Sequence, residues 1–139
     1  MPSKVAAKVV YRGKMRFEGT SRDNPPVPID YHPPLGDGQG YLGMELLLLS
    51  LAACSGQTVA GLLRKMKQPP REMEVVASGE KRDEHPTTFL SVKLEFVIRG
   101  GGVTEDAARQ AVALSEEKFC PVWATLKPVV PVSTAIRVE

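Results

Sequence analysis

The chain has 139 residues, of which 42% are apolar and 24% are charged, and its net charge is +2. This length and composition are typical of one globular domain, which we expect to span residues 1–139. Basic and acidic residues are interspersed, so neither nucleic acid nor an anionic membrane surface is an expected partner.

The start of the chain does not resemble a secretory signal, because it lacks a long apolar segment. The apolar run Leu46–Ala53 is shorter than the roughly 18 residues that suggest a membrane span. We therefore expect a cytoplasmic location and no membrane insertion. In that compartment the two cysteines are expected to be reduced, reactive or buried rather than a structural crosslink.

The first 42 residues predict a hairpin and a long loop. Alternating apolar residues over 4–18, with a turn at Arg12-Gly13-Lys14, predict two antiparallel strands. Residues 19–42 are rich in proline and glycine and predict a loop. Within it Val27–Tyr31 predicts a short edge strand, where proline is tolerated.

The middle of the chain predicts a buried helix and a strand pair. Residues 43–67 predict a helix whose leucine-rich first half has no polar face, which is typical of a buried helix. Residues 71–99 predict two strands. In the second, Leu90 to Ile98 alternate with polar residues, which indicates one buried face, one wet face and an antiparallel sheet.

The C-terminal third predicts a second helix and a last strand. Thr104 is a good N-cap for a helix over 104–120, whose buried stripe includes Ala108, Ser115 and Phe119. Pro121 breaks or kinks the helix directly after Cys120. Residues 129–138 predict the last strand.

The order of elements predicts an α+β fold with helices on one face of an antiparallel sheet. One sheet can cover only one side of the first helix, although that helix is apolar on every side. A second copy of the chain is the simplest cover, since twofold dimers are the commonest assembly. We therefore expect a homodimer.

The roles of the two cysteines, Cys54 and Cys120, can be interpreted in two ways. The simpler one is a small buried apolar residue at each position. The alternative is a working thiol, because Ser55 and other small polar residues follow Cys54 and because Cys120 lies at a helix break. A reactive thiol needs access to substrate and a cation or donor to hold its thiolate.

Metal binding is the weaker alternative for these cysteines. Two cysteines and two histidines make four zinc ligands in number, but neither cysteine has a close-spaced partner. His32 and His85 lie beside prolines in predicted loops, where we interpret them as solvated. We expect no metal and no cofactor.

Three segments together resemble the OsmC/Ohr family. The segment GMELLLLSLAACSGQTV resembles that family's first cysteine motif, SEEKFCPVWATL its second, and RGKMRFEG its N-terminal hairpin. The match runs in order over nearly the whole chain. The resemblance implies an intertwined homodimer in which antiparallel sheets wrap two central helices from each chain.

The same resemblance implies thiol-dependent reduction of organic hydroperoxides. Cys54 would be the attacking thiolate that becomes a sulfenic acid, and Cys120 would then form a disulfide with it. A thiol reductant protein, such as a thioredoxin-like or lipoyl protein, would reopen the bridge. The small substrate would be an organic hydroperoxide or another apolar ligand.

Peroxidase members of this family place an arginine beside the first sulfur and hold it with a glutamate. By the resemblance Arg12 is the first candidate and Arg16 the second. The glutamate stands ten positions before the cysteine in those members, where this chain has Met44. Glu45, nine positions before the cysteine, is the candidate for this catalytic glutamate by the resemblance. On an ideal helix it points away from Cys54, so the alternative is a cap at the helix start.

This departure leaves three functions open. The first is a cysteine-based hydroperoxide reductase. The second is a redox-sensing or small-molecule-binding dimer without peroxidase activity, with Cys54 and Cys120 as ordinary thiols. The third is thiol transfer to small sulfur or acyl compounds, which predicts a stable mixed adduct.

Overall fold

The computed structural model describes residues 2–139, within which the backbone separates into two compact units. The first unit is Met1–Leu47 and the second is Leu48–Glu139. In chain order the elements are β1 (Lys8–Gly13), β2 (Arg16–Thr20), β3 (Val27–Ile29), α1 (Gly43–Lys65), β4 (Glu72–Lys81), β5 (Phe89–Arg99), α2 (Glu105–Leu114), a π turn (Ser115–Phe119), α3 (Pro121–Leu126) and β6 (Val132–Val138). This is a mixed α+β fold with two sheets.

The first unit is a small antiparallel sheet in the order β1-β2-β3. The hairpin turn lies at Gly13 and Lys14, both with positive φ, and Gly13 pairs with Arg16 across it. Most of its large apolar side chains stay exposed, including Val9 and Tyr11 at 57% and 58%. The first unit therefore presents apolar surface of its own, although Val10, Phe17 and Ile29 of the sheet are half-buried.

Helix α1 begins at Gly43 and ends at Lys65, two residues before the predicted end. One side is buried in the core, through Leu51, Ala52, Ser55, Val59 and Leu63. The remaining surface is still apolar, and Leu49 is 48% exposed. The helix is long and apolar enough to cross a membrane by length and composition alone, a criterion that core helices also meet. The expectation of no membrane insertion, based on the short run Leu46–Ala53, stays a prediction.

The second unit is built on a sheet in the order β4-β5-β6. β4 and β5 pair antiparallel, as the alternation predicts. β5 and β6 pair parallel, so the prediction of a wholly antiparallel sheet is wrong for this pair. The physical reason lies in the connection, because α2, the π turn and α3 together form the helical crossover that parallel neighbours need.

The core of the second unit lies between its sheet and its helices. Strand β5 supplies its alternate residues, Val92, Leu94, Phe96 and Ile98, each no more than 4% exposed. Leu90 was predicted to belong to this face but is 56% exposed. Buried residues from α1, α2 and α3 complete the cluster. The core therefore fixes the helices on which both cysteines lie.

The predicted helix over 104–120 is interrupted. Thr104 caps α2 as predicted, with its hydroxyl accepting a hydrogen bond from the Ala107 N–H at 3.1 Å. After Leu114 the chain widens into the π turn, and the Cys120 N–H donates to the Ser115 carbonyl five residues back at 2.9 Å. This extra residue per turn rotates Phe119 off the buried stripe, so it is 47% exposed instead of buried.

Candidate active site: a pair of thiols

Cys54 lies on α1 at the border between the buried side of the helix and its surface. The side chain is partly buried and packs against the core of the second unit. The next residue, Ser55, is fully buried. Because successive helical residues differ by about 100° around the axis, the cysteine faces the rim of the core while the serine faces into it.

Cys120 is 1% exposed and forms the N-cap of α3. The π turn ends directly before it, and Pro121 occupies the first helical position after it. Its sulfur accepts a hydrogen bond from the Trp123 N–H at 3.5 Å, which satisfies one of the free donors at the helix start. Its sulfur also lies 3.5 Å from the Ser55 Oγ.

The two cysteines, 66 positions apart in the sequence, meet in the second unit. The Cys120 thiol lies close enough to Cys54 to raise the pKa of the Cys54 thiol, and both cysteines are free thiols. Cys54 is also approached by the backbone N–H of Val122 in the first turn of α3. The two sulfurs therefore lie together at the start of one helix.

Burial is the main cause that raises the pKa of the Cys54 thiol above its ordinary value. The hydrogen bond with Cys120 and the charge of its thiolate raise this pKa further, while the Val122 N–H lowers it. Within the second unit, the groups that act on Cys54 thus favour the neutral thiol. A nucleophilic thiolate at neutral pH needs an additional positive charge.

The arrangement suits a disulfide between a reachable sulfur and a sheltered one. Cys54 retains some exposure, whereas Cys120 has almost none. A reagent from solution therefore meets Cys54 first. An oxidised Cys54 then has a second thiol nearby, as a resolving cysteine requires.

Both arginine candidates lie in the first unit. The Arg12 Nε donates to Glu18 Oε1 at 3.0 Å across the β1-β2 hairpin, and both side chains are largely exposed. Arg16 is close enough to Asp30 that its charge helps to lower the pKa of that carboxyl. Each arginine thus has an acidic neighbour inside its own unit.

Glu45 contributes to the cap at the start of α1. Its Oε1 accepts a hydrogen bond from the Leu42 N–H at 2.8 Å, which is the carboxylate half of a capping box. Leu42 directly precedes the first helical residue. This contact matches the capping alternative that the spacing of nine residues indicated.

Two features of the site were absent from the sequence analysis. Ser55 was seen only as a polar neighbour of Cys54, although it touches the other cysteine. The π turn was missed altogether, since no residue type marks it in advance. Pro121 predicted a break or kink directly after Cys120, but it did not indicate that the last turn before Cys120 would widen.

Neither histidine belongs to a cluster of side chains that could bind a metal ion among the described residues. Both His32 and His85 are exposed. Across residues 2–139, no set of three or more His, Cys, Asp or Glu side chains is arranged to hold a metal ion.

Comparison with known proteins places this geometry in a family. The family model described as OsmC-like protein matches residues 36–135, which include both cysteines. Protein YhfA of Escherichia coli strain K12 is 30% identical over 122 residues, covering 88% of this chain and 80% of YhfA.

Solved structures agree with this assignment. A hypothetical protein from Aquifex aeolicus VF5 has a TM-score of 0.88 at 28% identity, covering 99% of this chain and 98% of its own. The organic hydroperoxide resistance protein OhrB of Bacillus subtilis has a TM-score of 0.67 at 22% identity, covering 97% and 98%, and shares the fold. The family model spans most of the chain and contains both members of the thiol pair, and we conclude that this protein belongs to the OsmC-like family.

Proposed function

We propose that the protein reduces organic hydroperoxides, with Cys54 as the attacking sulfur and Cys120 as the resolving sulfur. The observation that carries the proposal is the contact between these two thiols at the start of α3. Membership of the OsmC-like family and the shared fold with an organic hydroperoxide resistance protein support a peroxide-related redox role.

The reaction has two steps within the protein. The Cys54 thiolate attacks one peroxide oxygen, the O–O bond breaks, and the sulfur becomes a sulfenic acid while the alkoxide takes up a proton and leaves as an alcohol. The Cys120 sulfur then attacks the Cys54 sulfur, and the hydroxyl leaves as water. A dithiol reductant reduces the disulfide and restores both thiols.

A cation must favour the Cys54 thiolate, because burial and Cys120 favour the thiol. Arg12 and Arg16 remain our candidates for this charge. Replacing each by methionine keeps the length of the side chain and removes its charge. The variant in which Cys54 alkylates more slowly at neutral pH identifies the arginine, and unchanged rates in both variants contradict this assignment.

We further propose that the protein works as a homodimer. Leu49 on α1 and a set of apolar residues in the first unit remain exposed in the single chain. Exposed apolar surface on this scale marks an interaction site. A second copy supplies a cover of the right chemistry.

The decisive experiment mixes the reduced protein with cumene hydroperoxide and follows thiol loss and formation of the alcohol. We expect stoichiometric alcohol from the wild type and from Cys120→Ser, in which a sulfenic acid accumulates and reacts with dimedone. Cys54→Ser should yield none. If Cys54→Ser consumes peroxide at the rate of the wild type, the proposal is wrong.

A second candidate function is a redox-sensing or ligand-binding dimer without peroxidase activity. Two observations favour it, namely the raised pKa of Cys54 and the use of Glu45 as a helix cap. If this second function is correct, we expect Cys54 to react with an alkylating reagent only above about pH 8, as an ordinary thiol does. Alkylation at pH 6 to 7 argues for the peroxidase instead.

A further inference from the structure

Two fully buried serines lie close to Cys120 in the chain or in space, and they differ in one respect. The Ser55 Oγ lies 3.5 Å from the Cys120 sulfur. The Ser115 Oγ has no hydrogen-bond partner among the described residues. The two side chains are equally buried, at 0% exposure. A buried hydroxyl is costly unless it is hydrogen-bonded. Ser55 meets this requirement through the Cys120 sulfur, which links the serine to the thiol pair.

A serine hydroxyl can both donate and accept a hydrogen bond. When Cys120 is a thiol, its S–H can donate to Ser55. When Cys120 is a thiolate, the serine O–H can donate to the sulfur. The Ser55–Cys120 contact therefore persists through the change of charge that a resolving cysteine undergoes.

The Trp123 N–H fixes the same sulfur from the helix start, at 3.5 Å. Two groups on different elements, α1 and α3, thus restrain the direction of the Cys120 side chain. Ser55 directly follows Cys54 on α1, so its contact keeps the sulfur of Cys120 beside that of its partner.

We propose that Ser55 is the positioning residue for the resolving cysteine, holding the Cys120 sulfur against Cys54 and stabilising its thiolate while the disulfide closes. This inference rests on the proposed function. In the step concerned, an S–S bond forms and the S–O bond of the Cys54 sulfenic acid breaks. The hydroxide that leaves combines with the proton that Cys120 gave up, and the product is water.

The test separates closure of the disulfide from the reaction with peroxide. Ellman's reagent converts Cys54 into a mixed disulfide with 5-thio-2-nitrobenzoate and frees one equivalent of the coloured thiolate. Attack by Cys120 then closes the Cys54–Cys120 disulfide and releases a second equivalent. The second release reports closure alone, with no peroxide present.

We expect closure in Ser55→Ala to be on the order of ten-fold slower than in the wild type, because a hydrogen bond to a charged group is lost. Ser55→Thr, which keeps the hydroxyl, should restore most of the wild-type rate. Ser115→Ala is the matched control, since it removes a buried hydroxyl that makes no hydrogen bond to the Cys120 sulfur, and it should close at the rate of the wild type. Trp123, the only tryptophan, gives a second signal for closure through its fluorescence.

Two results would overturn the proposal. One is closure of Ser55→Ala at the wild-type rate. The other is equal slowing in Ser115→Ala, which would indicate a general effect of core substitution. If closure depends on Ser55 but cumene hydroperoxide produces no sulfenic acid, the positioning role stands and the proposed peroxidase function fails.

Discussion

The two units of the chain bury their apolar residues to very different extents. In the second unit, the inner face of β5 is covered by helices and its alternate residues are almost fully buried. In the first unit, β1 exposes Val9 and Tyr11 by more than half. The comparison teaches that the second unit has a core of its own, whereas the first presents apolar surface that calls for a cover.

The largest expected effect tests the core of the second unit. Trp123 is 0% exposed and is among its largest buried side chains. Its replacement by alanine should lower the free energy of unfolding by about 3 to 5 kcal/mol, because it leaves a large cavity. Chemical denaturation followed by far-UV circular dichroism measures this. A loss below about 1 kcal/mol would mean that the cluster around Trp123 is not the stabilising core.

The next effect tests the exposed apolar surface of α1. Leu49→Lys places a charge on that surface, and we expect the proposed dimer to dissociate at least ten-fold more readily, since burial of an unpaired charge is costly. Leu90→Lys is the control, because Leu90 is similarly exposed but lies on β5. Sedimentation analysis gives the masses. If the wild type and Leu49→Lys have equal masses in solution, the exposed surface of α1 is not part of the dimer interface.

A smaller effect concerns the thiol pair, which lies wholly in the second unit. Cys120 raises the pKa of Cys54, so Cys120→Ser should lower it. A lower pKa increases the thiolate fraction below that pKa, and alkylation of Cys54 at pH 7 should become a few-fold faster. The rate of reaction with iodoacetamide provides the readout. A slower reaction would indicate that Cys120 supports the thiolate instead of opposing it.

The smallest effect concerns Asp30 in the first unit. This carboxylate accepts backbone N–H groups from Tyr31, Asp37 and Gln39, and it is 3% exposed. Burial raises the pKa of Asp30. The three hydrogen bonds and the charge of Arg16 together lower it by more, so the folded pKa lies below the ordinary value of 3.8. Its contribution to stability is therefore present above about pH 4 and is lost as the pH falls through the folded value.

Asp30→Asn should accordingly lower the thermal midpoint slightly at pH 7, and the difference from wild type should shrink towards pH 3. Thermal melts across this range provide the measurement. A difference that is constant with pH would show that the charge of Asp30 contributes nothing.

Sequence patterns predicted the elements that local chemistry specifies. Period-2 alternation identified β5, apolar continuity identified α1, and the Thr104 cap was predicted at the residue where it occurs. The two cysteine motifs identified the thiol pair through the family resemblance. Each of these signals lies within a short stretch of the chain.

The features that were missed depend on contacts between distant segments. The parallel pairing of β6 with β5 is decided by the direction of a crossover. The partner of Ser55 lies 65 positions away, and the pairing of Arg12 with Glu18 follows from the hairpin register. Spacing along one helix could indicate that Glu45 is a cap, but no local pattern indicated where either arginine would find its carboxylate.

The π turn before Cys120 has a consequence for how this segment tolerates change. Its exposed residues can vary in identity, because the wide turn is defined by a backbone bond from Cys120 to Ser115. Removing one residue would restore regular helical winding and swing the cysteine by about 100°. Substitutions of the exposed residues are thus tolerated in this turn, whereas deletion of one residue would move Cys120 away from Cys54.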